Sequence, residues 1–266
     1  MSASLDGVRL KIDRAEYHFQ QFQLALHAGL PATRVELRSK ELDSEGNHIA
    51  IGDIFPGEAP PELGLHIGDA VHNLRSSLDH LVCQLAVAAG NRRACDKTQF
   101  PIFFNDTPDN RKTIKRRIRG VATSAEAEIE SLQPYKRRPL DPTADLLWLL
   151  SELDNIDKHR LLLVVNPKFA AMRLTVTIDG VAKSYTISDR PEWRPLKLDA
   201  MPFRIRIPKD PSKPQTQVQV DANPLTGVVF AKTGLKCDGQ AVAPLIREMV
   251  ADVKTIVDGF VTKKLI

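Results

Sequence analysis

The stretch of this chain best equipped for chemistry is His66-Ile67-Gly68-Asp69-Ala70-Val71-His72-Asn73-Leu74-Arg75-Ser76-Ser77-Leu78-Asp79-His80-Leu81-Val82-Cys83. On a helix turning about 100° per residue, with Arg75 at zero, Asp79, His72, Cys83, Ser76, Asp69, His80 and Asn73 fall within roughly 0° to 160°. The leucines gather at roughly 240° to 320°, so one face is apolar and the other polar. A solvated helix face normally uses Lys, Glu and Gln, which are strong helix formers. This one has no Lys or Glu between His66 and Ala89. Short hydrogen-bonding side chains in their place are expected at a functional site, and equally in a buried polar network between helices. In the first case His80 exchanges a proton near neutral pH, and the planar fork of Arg75 fits two phosphate oxygens. Asp79, one turn on, would orient Arg75, and Ser76 is the remaining catalytic candidate. Asp69, His72 and Asn73 are the supporting polar residues.

A second polar cluster, Asp154-Asn155-Ile156-Asp157-Lys158-His159-Arg160, closes another helical pattern. Its cations suit the negative end of a helix dipole. Asp154, Asp157 or His159 packed against the long helix would extend the network. Asp69 and His72 stand at ligand spacing on one helix face, and His66, His80, Asp157 and His159 could complete a metal set. Without a repeated Glu-x-x-His or a His-Glu-x-x-His, a metal-dependent hydrolase ranks behind the other readings, and no metal or cofactor is expected. Cys83 beside Asp79 and His80 could form a Cys–His pair; a small, buried, inert thiol is the expected state.

Basic residues bunch at Arg111-Lys112-Thr113-Ile114-Lys115-Arg116-Arg117-Ile118-Arg119, and Lys136-Arg137-Arg138 adds three more. Arg111, Lys112, Lys115, Arg116, Arg117 and Arg119 are the expected phosphate-binding residues, because a helix of that density neutralises several phosphates. The competing role is a solvated helix paired with Glu126, Glu128 and Glu130. There is no phosphate loop of the G-x-x-x-x-G-K or G-x-G-x-x-G kind.

Arg75 followed five residues later by His80 resembles the R-x4–6-H motif of HEPN-type ribonucleases. The resemblance implies an RNA-cleaving pair, with His80 in acid–base chemistry through the ribose 2′-OH and Arg75 on the scissile phosphate. It also implies no metal, and a homodimer in which two such helices face each other. Ser76 stands where that family usually has Asn, Asp or His. Three segments together also resemble a family of bacterial hypothetical proteins that has no activity to transfer: Asp69-x-x-His72-Asn73-Leu74-Arg75-Ser76-x-Leu78-Asp79-His80, Leu132-Gln133-Pro134-Tyr135, and Leu153 to Arg160. The expected function is therefore an HEPN-like, metal-independent endoribonuclease or RNA-binding protein, of defence or toxin type. The alternative is a non-enzymatic binding or scaffold protein with a His/Asp/Arg interhelical network.

These residues need elements to position them. Leu5, Val8, Ile12, Ala15, Phe19, Phe22 and Leu26 recur at helical steps over residues 5–30. Residues 34–54 alternate about Ser44-Glu45-Gly46-Asn47 and read as a β-hairpin. Ile67, Val71, Leu74, Leu78, Leu81 and Leu85 hold one stripe over residues 63–89. Helices are expected over residues 108–119, 124–132 (with Ser124 as N-cap) and 143–157. Strand patterns follow around Asp179-Gly180, at residues 204–207, 217–220 and 227–230, and a closing amphipathic helix covers residues 240–263. The expected fold is α+β: a helical bundle (1–165) with an inserted hairpin, an antiparallel β-sheet (166–235), and a C-terminal helix (236–266) packed back on the bundle.

With 266 residues, 42% of them hydrophobic, the chain can bury a core, which excludes a disordered tail. Three scattered cysteines argue against a disulfide framework and against a cysteine zinc site. The longest apolar runs fall far short of the roughly 20 residues a membrane span needs, so a cytoplasmic protein without membrane contact is expected. The net charge of +4 permits RNA as a partner without demanding it.

Overall fold

The computed structural model describes residues 2–28, 34–55, 60–160, 165–178, 181–187, 201–207 and 218–266. It is α-rich. Among the described residues seven α-helices run in chain order: α1 (Asp6–Ala28), α2 (Pro61–Ala88), α3 (Pro108–Arg117), α4 (Thr123–Ser131), α5 (Pro134–Arg137), α6 (Leu146–Arg160) and α7 (Val242–Thr262). Pro61 suits the start of α2, where its missing N–H has no helical partner to lose. Thr107 caps α3 by accepting the N–H of Asn110 at 3.2 Å, with Pro108 at the first position. Ser124 is not a cap. The helix begins one residue earlier, at Thr123, and Ala122 stands at the cap position without a side-chain bond.

The stripes expected from periodicity are the core. Ile67, Val71, Leu74, Leu78, Leu81 and Leu85 are buried with Val8, Ile12, Phe19 and Phe22 of α1, Leu149, Leu150 and Leu153 of α6, and Leu245, Met249, Val253 and Phe260 of α7. Each fully buried side chain of this size is worth about 1.5–3 kcal/mol over exposure. Contacts run in reverse order along the pairs. Ser4 meets Gln84 and Lys11 meets Asn73, so α1 lies antiparallel to α2. Asp157 meets Gly68 and Asp154 meets His72, so α6 is antiparallel to α2 as well.

Six strands complete the described chain: β1 (Arg34–Leu42), β2 (His48–Phe55), β3 (Val165–Ile178), β4 (Val181–Ile187), β5 (Met201–Ile207) and β6 (Val218–Phe230). β1 and β2 pair antiparallel, Leu42 opposite His48, across a turn in which Asp43 accepts the N–H groups of Glu45 and Asn47. Gly46 supplies the positive φ of 80° that this turn requires. β3 pairs antiparallel with β4 and β6. β5 pairs instead with β2, Ile205 opposite Ala50, so the strands of residues 166–235 do not stay together as one group. The Asp179-Gly180 turn lies outside the described residues. The end of β6 joins the core through buried Phe230, whose N–H bonds Gln240 O just before α7.

Candidate functional site: a polar seam and a basic cleft

The polar face of α2 is a seam between helices. Arg75 is 5% exposed. Its guanidinium donates to Asp79 Oδ1 at 2.6 Å and to the carbonyl of Phe100 at 2.8 Å. Asp79 Oδ1 also accepts the N–H of Phe100 at 2.8 Å. Arg75 and Asp79 thus hold both backbone groups of one residue in the extended segment of residues 99–103. The same segment is bonded by the fully buried Gln133, which donates to Pro101 O and accepts the N–H of Phe103. Extended backbone outside a strand ladder has no regular partners, so buried side chains must satisfy it. Two of the three quoted segments, around Arg75 and around Gln133, are the two halves of this clamp.

The third segment meets α2 one to two turns earlier. His72 Nδ1 lies 3.0 Å from Asp154 Oδ1, and Lys158 bonds the other oxygen of this buried carboxylate. Asp157 packs on Gly68: a Cβ there would sit 2.3 Å from Asp157 Oδ1, so a larger residue would displace this carboxylate. On the α1 side, His18 Nδ1 stands 3.4 Å from Asp69 Oδ2 without hydrogen-bond geometry. Asn73 donates to Asp69 O and accepts from Lys11. Ser76 is half-buried, and His159 is exposed at the end of α6.

Burial, and then the neighbouring Asp154 and Asp69, push the Asp157 carboxyl above its ordinary 3.8. The fold therefore favours the protonated acid. That contribution is full at low pH and is lost as pH rises through the raised value, because the native state then binds more protons than the unfolded chain. Asp157→Asn is accordingly expected to raise the melting temperature at neutral pH and to flatten the stability profile over the carboxylate range. An unchanged profile in a thermal melt series would show that Asp157 carries no such cost.

Arg75 and His80 are not brought together. His80 is exposed beside the first turn of α1, where a Cβ on Gly7 would lie 3.4 Å from its Nδ1. Arg75 sits at the border of the apolar stripe, so it turns toward the buried Phe100 segment and away from His80. Among the described residues no three His, Cys, Asp or Glu side chains converge as a metal site, and no helix is long and apolar enough to cross a membrane.

Cys83 departs from expectation. It is neither an isolated thiol nor a partner of His80: it forms a disulfide with Cys95, Cα–Cα 4.5 Å. Sequence spacing gives no warning, since the two cysteines are brought together only by the turn that follows α2. The inert thiol is Cys237, fully buried and pushed up to about 11 by burial.

The basic run on α3 divides. Arg111 is held by both oxygens of Asp106, at 2.6 and 2.7 Å, and Lys112 stands 3.7 Å from Asp109. Lys115 is exposed on the Arg111 side, in a small pocket with Lys136, Asp106 and Glu130. Arg137 grips Asp252 of α7 through two bonds. Arg116, Arg117 and Arg119 turn the other way, into a cleft of about 1410 Å³ between the end of α2, the 3-10 turn Arg92–Lys97 and the end of α3. Six cations line it, namely Arg92, Arg93, Lys97, Arg116, Arg117 and Arg119, against one carboxylate, Asp96. Burial and then the like charge of Arg75 hold the Arg117 guanidinium below its usual range. Arg117 also covers the Phe103 ring at 5.3 Å. The clamp and the cleft therefore share a wall. Arg92, Arg93 and Lys97 follow the end of α2 in the 3-10 turn, where no periodicity in the sequence groups them with α3.

Compared with known proteins, the chain matches no family model, no curated protein and no solved structure.

Proposed function

We propose that this chain is an RNA-binding protein whose contact surface is the basic cleft, and that the polar face of α2 is the framework behind it. One observation carries the reading: six cations face one carboxylate in a concavity large enough for several nucleotides. Cations gathered around a low-dielectric concavity concentrate their field and favour a polyanion. The whole chain in this reading is α+β, a helical bundle with antiparallel β-sheets beside it and α7 packed back on the bundle.

Cleavage of the bound RNA, as the likeness to HEPN-type ribonucleases implies, is the second reading. It is favoured by His80, exposed one turn before Gln84, which lines the cleft. Arg75, bonded within the fold, would then act as a positioning residue behind the cleft wall, and a homodimer would bring two His80 side chains together.

Fluorescence anisotropy with a short single-stranded RNA tests the first reading. Four phosphate contacts give a log–log salt slope near −3, so affinity should fall about fiftyfold between roughly 50 and 200 mM salt. Binding that is absent, or indifferent to salt, overturns the reading. In the same samples with EDTA, cleavage by wild type and none by His80→Ala would support the second reading; intact RNA in both leaves a binding protein.

A further inference from the structure

We propose that the Cys83–Cys95 disulfide is a reversible redox modification site, with dithiols as its reductant class, and that it sets the strength of anion binding in the cleft. The proposal rests on the cleft being a phosphate-binding surface. Both cysteines line that cleft, and both are half-buried, so a reductant reaches them from the same side as the anion.

The bridge has a mechanical role. Cys83 lies on α2, near the end of a rigid helix whose apolar side is buried. Cys95 lies in the 3-10 turn Arg92–Lys97, a six-residue run of a helix type whose hydrogen bonds are poor and which seldom extends so far. Hydrogen bonds hold this turn at its two ends. Asn91 Nδ2 donates to Gly120 O at 2.9 Å, and Gln99 N to Arg117 O at 3.0 Å. Between them the disulfide fastens the middle of the turn to α2. Arg93 and Lys97, two of the cleft cations, ride on the segment so fastened. With the bridge closed they stand opposite Arg116 and Arg119 before any anion arrives. With it open, the anion must order them itself, which subtracts from binding.

The chemistry balances without further reagents. One thiolate of the dithiol attacks a protein sulfur and the Cys83–Cys95 bond breaks. A mixed disulfide forms, and the second thiol of the dithiol displaces it. Two electrons pass from the dithiol, which leaves as a disulfide, and two protons finish on the Cys83 and Cys95 thiols. The reverse reaction with an oxidised dithiol restores the bridge.

The test uses the full chain in three forms: oxidised, reduced with dithiothreitol, and Cys83→Ser/Cys95→Ser. Affinities are measured for the short RNA and for inorganic tripolyphosphate. The oxidised protein should bind both about tenfold more tightly than the reduced protein, the effect of ordering two long side chains. The serine variant should match the reduced form and ignore dithiothreitol. Equal affinities of oxidised and reduced protein, with thiol titration showing that the bridge has opened, overturn the proposal. So does reduction that unfolds the helices by circular dichroism, because the bridge is then only a staple. Redox-dependent tripolyphosphate binding without RNA binding sinks the RNA reading and keeps the switch; RNA binding indifferent to redox state does the reverse.

Discussion

Arg75→Ala is expected to lower the unfolding free energy by about 3 kcal/mol, the scale of removing one partner from a buried ion pair. The loss has named parts. Asp79 would keep its bond to the Phe100 N–H but lose its cation, and the Phe100 carbonyl would lose its donor in a buried setting. The segment of residues 99–103 would then be held by Asp79, Gln133 and the Arg117 carbonyl, without the donor to its Phe100 carbonyl. Arg75→Lys keeps the charge but not the planar fork that serves two acceptors at once, so it should recover only part of the loss. Urea denaturation reads these changes, and RNA titration of the folded variants reads the role. A large stability loss with RNA affinity nearly kept fits a framework residue. A small stability loss with RNA binding abolished would make Arg75 a direct phosphate ligand, against the geometry described.

The second large effect belongs to the cleft. Arg116→Glu/Arg119→Glu should weaken RNA binding by more than a hundredfold at about 100 mM salt and flatten the salt slope by about 1.4, two contacts at about 0.7 each for single strands. Both side chains are exposed, so the melting transition should stay within about 0.5 kcal/mol of wild type. Arg247→Glu, an exposed reversal on α7 away from the cleft lining, is the control and should leave RNA affinity unchanged. Equal losses from both variants would mean that net charge, and not the cleft, governs binding. The contrast with Arg111 has the same basis. That guanidinium has already spent its fork on Asp106, whereas Arg116 and Arg119 point into the concavity.

Periodicity alone located the helical core, because burying an apolar stripe is a local requirement that each helix carries in its own spacing. Ile67 to Leu85 on α2 and Val242 to Phe260 on α7 are buried along the stripes read from sequence. Residue type alone also marked the α2 face from His66 to Cys83 as unusual, since His, Asn, Ser and Asp are weak choices for a solvated helix. What that face does was not legible there. A helical wheel shows which residues share a side, but not what stands opposite them. Phe100 and Gln133, which explain Arg75 and Asp79, lie 25 and 58 positions from Arg75. The clamp, the close approach of Asp157 to Gly68 and the meeting of Arg93 and Lys97 with Arg116 and Arg119 join separate segments of the chain, and the Cys83–Cys95 bridge depends on the turn after α2. The sequence by itself determined which surfaces are apolar and which side chains can bond or carry charge. Only the tertiary structure decided which of those groups are used up inside the fold and which face a ligand, because that depends on partners that packing supplies.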